Sequence, residues 1–229
     1  MAEKFDLLKN PSEGLETIKK LQNDAAQILT QSKLLFLGQT ISLKEIEIYY
    51  FKKGEFEDTS VHRNELQMNN KNHFYVHRYG LTKSDKYKGG NRAGLDFVIS
   101  DEANTYYSYL IRSALINDEP IVGPNNVLKK ILKICKISCK DLENVNVELV
   151  TNNVSGIVLF SERINLGKNA GEYRECKLRA VVCDELFKGR KYPNKEKMVI
   201  DFLDGKDNEY AKNFAKDKLG YIPSKIRGK

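Results

Sequence analysis

Residues 45–51, Glu-Ile-Glu-Ile-Tyr-Tyr-Phe, alternate in the way a half-buried strand does. Side chains along a strand point to opposite faces in turn, so Glu45, Glu47 and Tyr49 share one face. A carboxylate beside aromatic rings suits a general base in a pocket that stacks a flat ligand. The competing reading is a solvent-facing acid at a sheet edge. Separately, Arg112 interrupts the apolar run Tyr-Leu-Ile-Arg-Ser-Ala-Leu. A buried arginine needs an acidic partner, and a strand carboxylate such as Glu47 would serve.

The rest of the chain reads as α+β. Asn10-Pro11-Ser12-Glu13 has the form of a helix start, with Asn10 as the cap. Leu15, Ile18, Leu21, Ala25, Ile28 and Leu29 follow at helical spacing and predict an amphipathic helix over about 10–32. Strands are expected at 45–51, 74–79, 94–100, 105–115, 145–150, 157–160 and 177–183. Residues 52–72 and the Lys- and Gly-rich stretch KSDKYKGGNR read as loops. Asn125 or Asn126 is expected to cap a helix whose apolar face is Val127, Leu128, Ile131, Leu132 and Cys135. After Cys183 the composition turns polar, and residues 184–229 hold 12 Lys and Arg against 8 Asp and Glu. The expectation is one domain, a curved antiparallel sheet with flanking helices over 1–183. A basic extension over 184–229 would carry one strand or helix.

Charge bears on partners. The chain has 38 Lys and Arg against 31 Asp and Glu, a net charge of +7, which favours polyanions through counterion release. The cysteines, Cys135, Cys139, Cys176 and Cys183, form no C-x-x-C pair and read as reduced thiols; no metal or cofactor is expected. No segment has the apolar length of a membrane span or signal peptide, which points to a cytoplasmic protein; a monomer is the default expectation.

Several segments in the same order resemble the alkyladenine (3-methyladenine) DNA glycosylase family. Glu47-Ile48-Tyr49 is similar to the family's E-A-Y strand, His62 to its second base-stacking residue, and Phe74–Gly80 (FYVHRYG) to Y-V-Y-x-x-Y-G. Arg112, the Gly123–Leu128 segment, Arg163–Gly167 and Ala170–Tyr173 match further family motifs along residues 30–183. The resemblance implies that double-stranded DNA is the partner and that one base is flipped and hydrolysed off its sugar. It implies Glu47 as the base that activates water, Arg112 beside it, and Ile164 offering the water a backbone oxygen. Tyr49 and His62 would sandwich the extruded base, and Tyr79 would fill the gap left in the duplex. Arg78, Arg92, Arg163 and Lys168 are the candidate DNA contacts. With no lysine at a matched catalytic position, a monofunctional enzyme without strand-cleaving activity is expected.

The departures from the family fall in the pocket. Phe74–Gly80 is one residue short of the family spacing, which leaves either Val76 or His77 facing the base. Asp96 stands near a pocket asparagine, and a carboxylate only accepts hydrogen bonds. Together with a longer loop before His62 and the tyrosines at 106, 107 and 109, this leaves the substrate either an alkylated purine or a bulkier modified base. A glucosylated phage base is one such candidate, and its excision would serve antiviral defence rather than repair. The alternative is a non-catalytic nucleic-acid-binding module of the same fold.

Overall fold

The computed structural model describes residues 11–82, 84–152 and 156–227, the side chains of Pro11, Ser12, Lys168 and Asn169 excepted. The expected amphipathic helix is α1 (Pro11–Gln31), whose stripe Leu21, Ala25, Ile28 and Leu29 is buried. Its Asn10 cap lies outside the described residues. Strands β1 (Ser32–Phe36) and β2 (Gln39–Lys52) then form a hairpin. Its two-residue turn, Leu37-Gly38, has positive φ at both positions (47° and 74°), the conformation that matches the twist of paired strands.

The remaining strands are β3 (Phe56–Glu57), β4 (Phe74–Val76), β5 (Leu95–Val98), β6 (Thr105–Ile116) and β7 (Glu119–Val122). Helices α2 (Pro124–Cys135) and α3 (Cys139–Glu143) precede β8 (Glu148–Thr151), β9 (Val158–Ser161) and β10 (Arg179–Val182). All pair antiparallel in one sheet of order β4-β5-β6-β2-β1-β8, with β10 also on β2 and β9 outside it. The sheet curls: a bridge between His73 and Asn146, and Val147 N–H donating to Asn72 O, bring the two ends of that order together. Strand β4 stops at Val76, three residues short of the sequence expectation, because the chain turns there into the 77–88 loop. Gly123 occupies the N-cap of α2 with φ of 94°, and Asn126 donates back to Val122 O, so neither Asn125 nor Asn126 is the cap.

One face of the sheet packs on α1 and α2. Ile41 and Leu43 of β2 point to that core, but so do Ile46 and Ile48, which lie in the opposite phase. Strand β6 changes phase at the same level, with Tyr107, Tyr109 and Ile111 inward on one side and Ala114 and Ile116 on the other. The pairing is irregular there, at Leu43, Glu45 and Ile46 opposite Ala114, Ser113 and Ile111. Such an irregularity re-aims side chains. Two consecutive residues on each strand, Lys44-Glu45 and Arg112-Ser113, are thereby left off the core face. Beyond this point Glu47 and Tyr49 continue outward.

The outward face carries the candidate site and, beside it, the C-terminal segment. That segment exceeds the single element expected from sequence: it forms α4 (Glu185–Lys188), α5 (Lys195–Phe202), α6 (Asn208–Leu219) and α7 (Ser224–Arg227). These helices enclose their own apolar cluster of Phe187, Met198, Val199, Leu203, Ala215 and Ile226, built onto Leu159 and Val181 of the sheet. It is an integral layer rather than an appended tail. Phe187 is fully buried and stacks on Tyr192 at 5.3 Å between ring centroids. Phe187→Ala is therefore expected to cost about 3–5 kcal/mol in chemical denaturation; a loss below about 1 kcal/mol would mean the layer is not part of the folded core.

Candidate active site

Glu47, Tyr49, His62, His77, Arg92, Asp96, Arg112 and Ile164, scattered over 118 positions of sequence, line one cleft of about 550 Å³ on the outward face. Its floor is the middle of β2, β5 and β6. Its walls are the loop carrying Ser60 and His62, the 88–93 segment, the start of α2 and the 164–170 segment.

Glu47 is almost completely buried at the floor and is held from three sides. Its Oε1 accepts the backbone N–H of Ile164 at 2.8 Å and faces Arg112 Nη1 at 3.2 Å. Its Oε2 accepts the Tyr49 hydroxyl at 3.1 Å. A carboxylate has about four acceptor directions, so a direction remains for one more donor, such as a water. Burial and the neighbouring Glu47 charge push the Tyr49 hydroxyl well above its ordinary range, so it stays a donor. The contact the structure gives Ile164 is thus through its N–H to Glu47, where the sequence reading used its oxygen.

Arg112 does not act alone. Its Nε donates to Glu45 Oε1 at 3.1 Å, and the same oxygen receives Arg179 Nε at 2.8 Å. Arg179 is fully buried on β10 and also donates to Pro193 O and Ser161 Oγ. Two acids and two arginines therefore form one continuous chain from the C-terminal layer to the cleft floor. The missed signal was Arg179 itself, a charge inside the strand sequence Leu-Arg-Ala-Val-Val.

One open alternative resolves, and two expected DNA contacts have other partners. Val76 is fully buried in the main core, so His77 is the residue facing the cleft. Arg78 is buried, ion-paired with Glu143 and donating to Ser84 O, which leaves it unavailable to a phosphate. Arg163 is likewise buried: it donates to Asp58 Oδ2 at 2.6 Å and to the carbonyls of Ile48 and Tyr173. Its guanidinium lies 4.9 Å from the centroid of the Tyr49 ring, so it backs the ring rather than touching DNA. A buried guanidinium needs an acidic partner, and each arginine finds its carboxylate, Glu143 or Asp58, far away in sequence. The Lys168 side chain lies outside the described residues. Tyr107 and Tyr109 point into the core and share a hydrogen bond at 2.7 Å, and Tyr106 packs on Phe51; none of the three lines the cleft.

Asp96 lines the cleft but is almost completely buried. Its Oδ1 accepts His77 Nε2 at 2.7 Å, and its Oδ2 accepts Gln67 Nε2 and Ser108 Oγ at 3.0 and 2.8 Å. Burial alone would raise its pKa, but His77 and the Ser108 hydroxyl outweigh burial and hold the carboxyl below its ordinary value. Its oxygens are spent on aiming His77 and Gln67, not on a ligand. Gly94 makes room for that ring, since an added Cβ would come 2.8 Å from His77 Cε1 and 2.9 Å from Leu110 Cδ1.

Lys88, which sequence reading passed over in a solvated loop, enters the cleft and donates to His62 Nε2 at 2.7 Å. His62 is then neutral, with Nδ1 carrying the proton 3.4 Å from the Tyr75 hydroxyl. Tyr79 is 40% exposed, with Lys86 and Lys88 5.4 and 5.8 Å from its ring centroid. No family model and no curated protein matches the chain. Among the described residues no cluster of His, Cys, Asp and Glu could hold a metal ion, and no helix is long and apolar enough to cross a membrane.

Burial, then the charges of His77 and Lys88, lower the His62 pKa from 6.5 to about 3. Unfolded, His62 takes up a proton near 6.5, so between about 6.5 and about 3 the unfolded chain binds more protons and stability falls as pH drops. Urea unfolding of wild type and His62→Asn down to pH about 4 is expected to show a shallower decline for the variant. Parallel declines would contradict the buried neutral ring.

Proposed function

We propose that this protein is a DNA glycosylase of the alkyladenine type, acting on a base extruded from duplex DNA. The observation that carries the reading is the Glu47 carboxylate, fixed by Arg112 and the Ile164 N–H at the floor of a cleft walled by Tyr49 and His62. A flat base enters between the two rings, and stacking there offsets part of what is lost on leaving the duplex. Tyr79, exposed beside the cleft lysine, takes the vacated place in the stack. Glu47 accepts a proton from the water that adds to the sugar C1′, while the electron pair of the glycosidic bond leaves with the base. The same negative charge counters the positive charge growing on the sugar. Arg92 at the rim suits a backbone phosphate.

The cleft is roomy and its wall carries the amides of Asn91, Asn125 and Asn126, which favours a base bearing hydrogen-bonding substituents over a plain alkylated purine. A glucosylated phage base is of that kind, and its removal is antiviral defence. Two of the sequence arguments for it carry no weight in this geometry, since none of the three tyrosines lines the cleft and Asp96 is engaged.

The test is base release. Wild type and Glu47→Gln are incubated with alkylated, deaminated and glucosylated-hydroxymethylcytosine DNA, and alkali-sensitive sites are counted. The expected result is release by wild type, strongest on the decorated DNA, falling by about 10²–10⁴-fold in Glu47→Gln. Equal DNA binding by both proteins with no sites from either would make the chain a binding module instead.

A further inference from the structure

We propose that Lys88 is a second nucleophile, whose amine captures the abasic product of base excision and cleaves the DNA strand at that sugar. The inference rests on the base-excision reading above and departs from what the family resemblance implies. Its basis is position. If the base lies against His62 and Tyr79 fills the gap in the stack, the sugar joining them lies in the interval between those two rings. Lys88 Nζ occupies that interval, 2.7 Å from His62 Nε2 and 5.8 Å from the Tyr79 centroid. The backbone holds it there, since Lys88 N–H donates to His77 O at 2.8 Å and closes the loop beneath the side chain.

The surroundings suit an amine that must be unprotonated to attack. Burial and the nearby Arg92 charge lower the pKa of Lys88, opposed by Asp96. Desolvation beside another cation is the usual way a lysine becomes nucleophilic near neutral pH. The hydrogen-bond partner given to its amine is the neutral His62 imidazole rather than a carboxylate, so no ion pair holds it as an ammonium. Lys86, the other lysine near Tyr79, is exposed and does not line the cleft.

The chemistry balances without any oxidant or reductant. Lys88 gives its proton to water, and the free amine adds to the aldehyde C1′ of the ring-opened abasic sugar. Loss of water from that adduct leaves an imine, in which the C2′ hydrogen is acidic. Water takes that proton, the C2′–H electron pair becomes a C2′–C3′ double bond, and the C3′–O bond breaks. The downstream strand leaves with a 5′-phosphate. Water then hydrolyses the imine, restoring the amine and releasing an unsaturated aldehyde on the upstream 3′ end.

The experiment starts from duplex DNA with a ready-made abasic site, so it needs no base excision. Full-length wild type, Lys88→Arg and Lys86→Arg are incubated with it under borohydride, which reduces an imine to a stable protein–DNA adduct; without borohydride, nicking is scored. The expected result is adduct and alkali-independent nicks with wild type and Lys86→Arg. Lys88→Arg keeps the charge, so its adduct is lost out of proportion to any change in its binding of the abasic duplex. No adduct with wild type, or an adduct that survives Lys88→Arg, overturns the proposal. Base release from modified DNA, read after alkali, is scored separately, so failure here leaves the glycosylase reading standing or falling on its own assay.

Discussion

Glu45, Glu47, Arg112 and Arg179 bring four charges out of water onto one face of an otherwise apolar sheet. Each alone would cost several kcal/mol to bury, so none can occupy its place unless the others occupy theirs. Arg179 at 2.8 Å and Arg112 at 3.1 Å share the Glu45 carboxylate, and Arg112 passes on to Glu47 at 3.2 Å. That mutual dependence explains why strands from distant parts of the chain keep one register. It also explains why both β2 and β6 change phase at the same level, since the change is what turns Glu45 and Arg112 away from the core.

The same rule builds the walls. Each ring that faces the cleft is backed by a buried charge or polar group: Tyr49 by Arg163, His77 by Asp96, and His62 by the Tyr75 hydroxyl. Those groups are in turn anchored, Arg163 to Asp58 and Asp96 to Gln67 and Ser108. A flat ligand therefore meets side chains whose orientation is set before it arrives, which limits the entropy lost on binding. The C-terminal layer contributes too, because Pro193 O accepts a hydrogen bond from Arg179.

What was legible in the sequence was whatever depends on local period. Alternation in 45–51 gave the facing of Glu47 and Tyr49, and helical spacing gave α1 within a residue or two. A charge inside an apolar strand pointed from Arg112 to Glu47. Ordered segments sufficed to collect Glu47, Tyr49, His62, Asp96, Arg112 and Ile164 as one set. What was illegible depends on pairings between remote positions. Arg78 and Arg163 looked like surface cations because their partners, Glu143 and Asp58, stand 65 and 105 residues away. Lys88 looked solvated because its loop composition is polar, although its backbone pairs with His77. Short polar segments after Cys183 each look too weak to fold, and they fold by sharing a core with β9 and β10. The facing of residue 76 or 77 turned on a one-residue shift that only the placed strand resolves.

The central claim is that an extruded base sits over Glu47 between Tyr49 and His62. The most direct measurement is a crystal structure of the Glu47→Gln protein bound to duplex DNA carrying the base that the wild type releases. The account predicts one nucleotide swung out of the helix, its base between those two rings, the Tyr79 ring in the vacated step, and C1′ facing residue 47. A duplex left fully stacked with the cleft empty, or DNA held on another face of the protein, would contradict it.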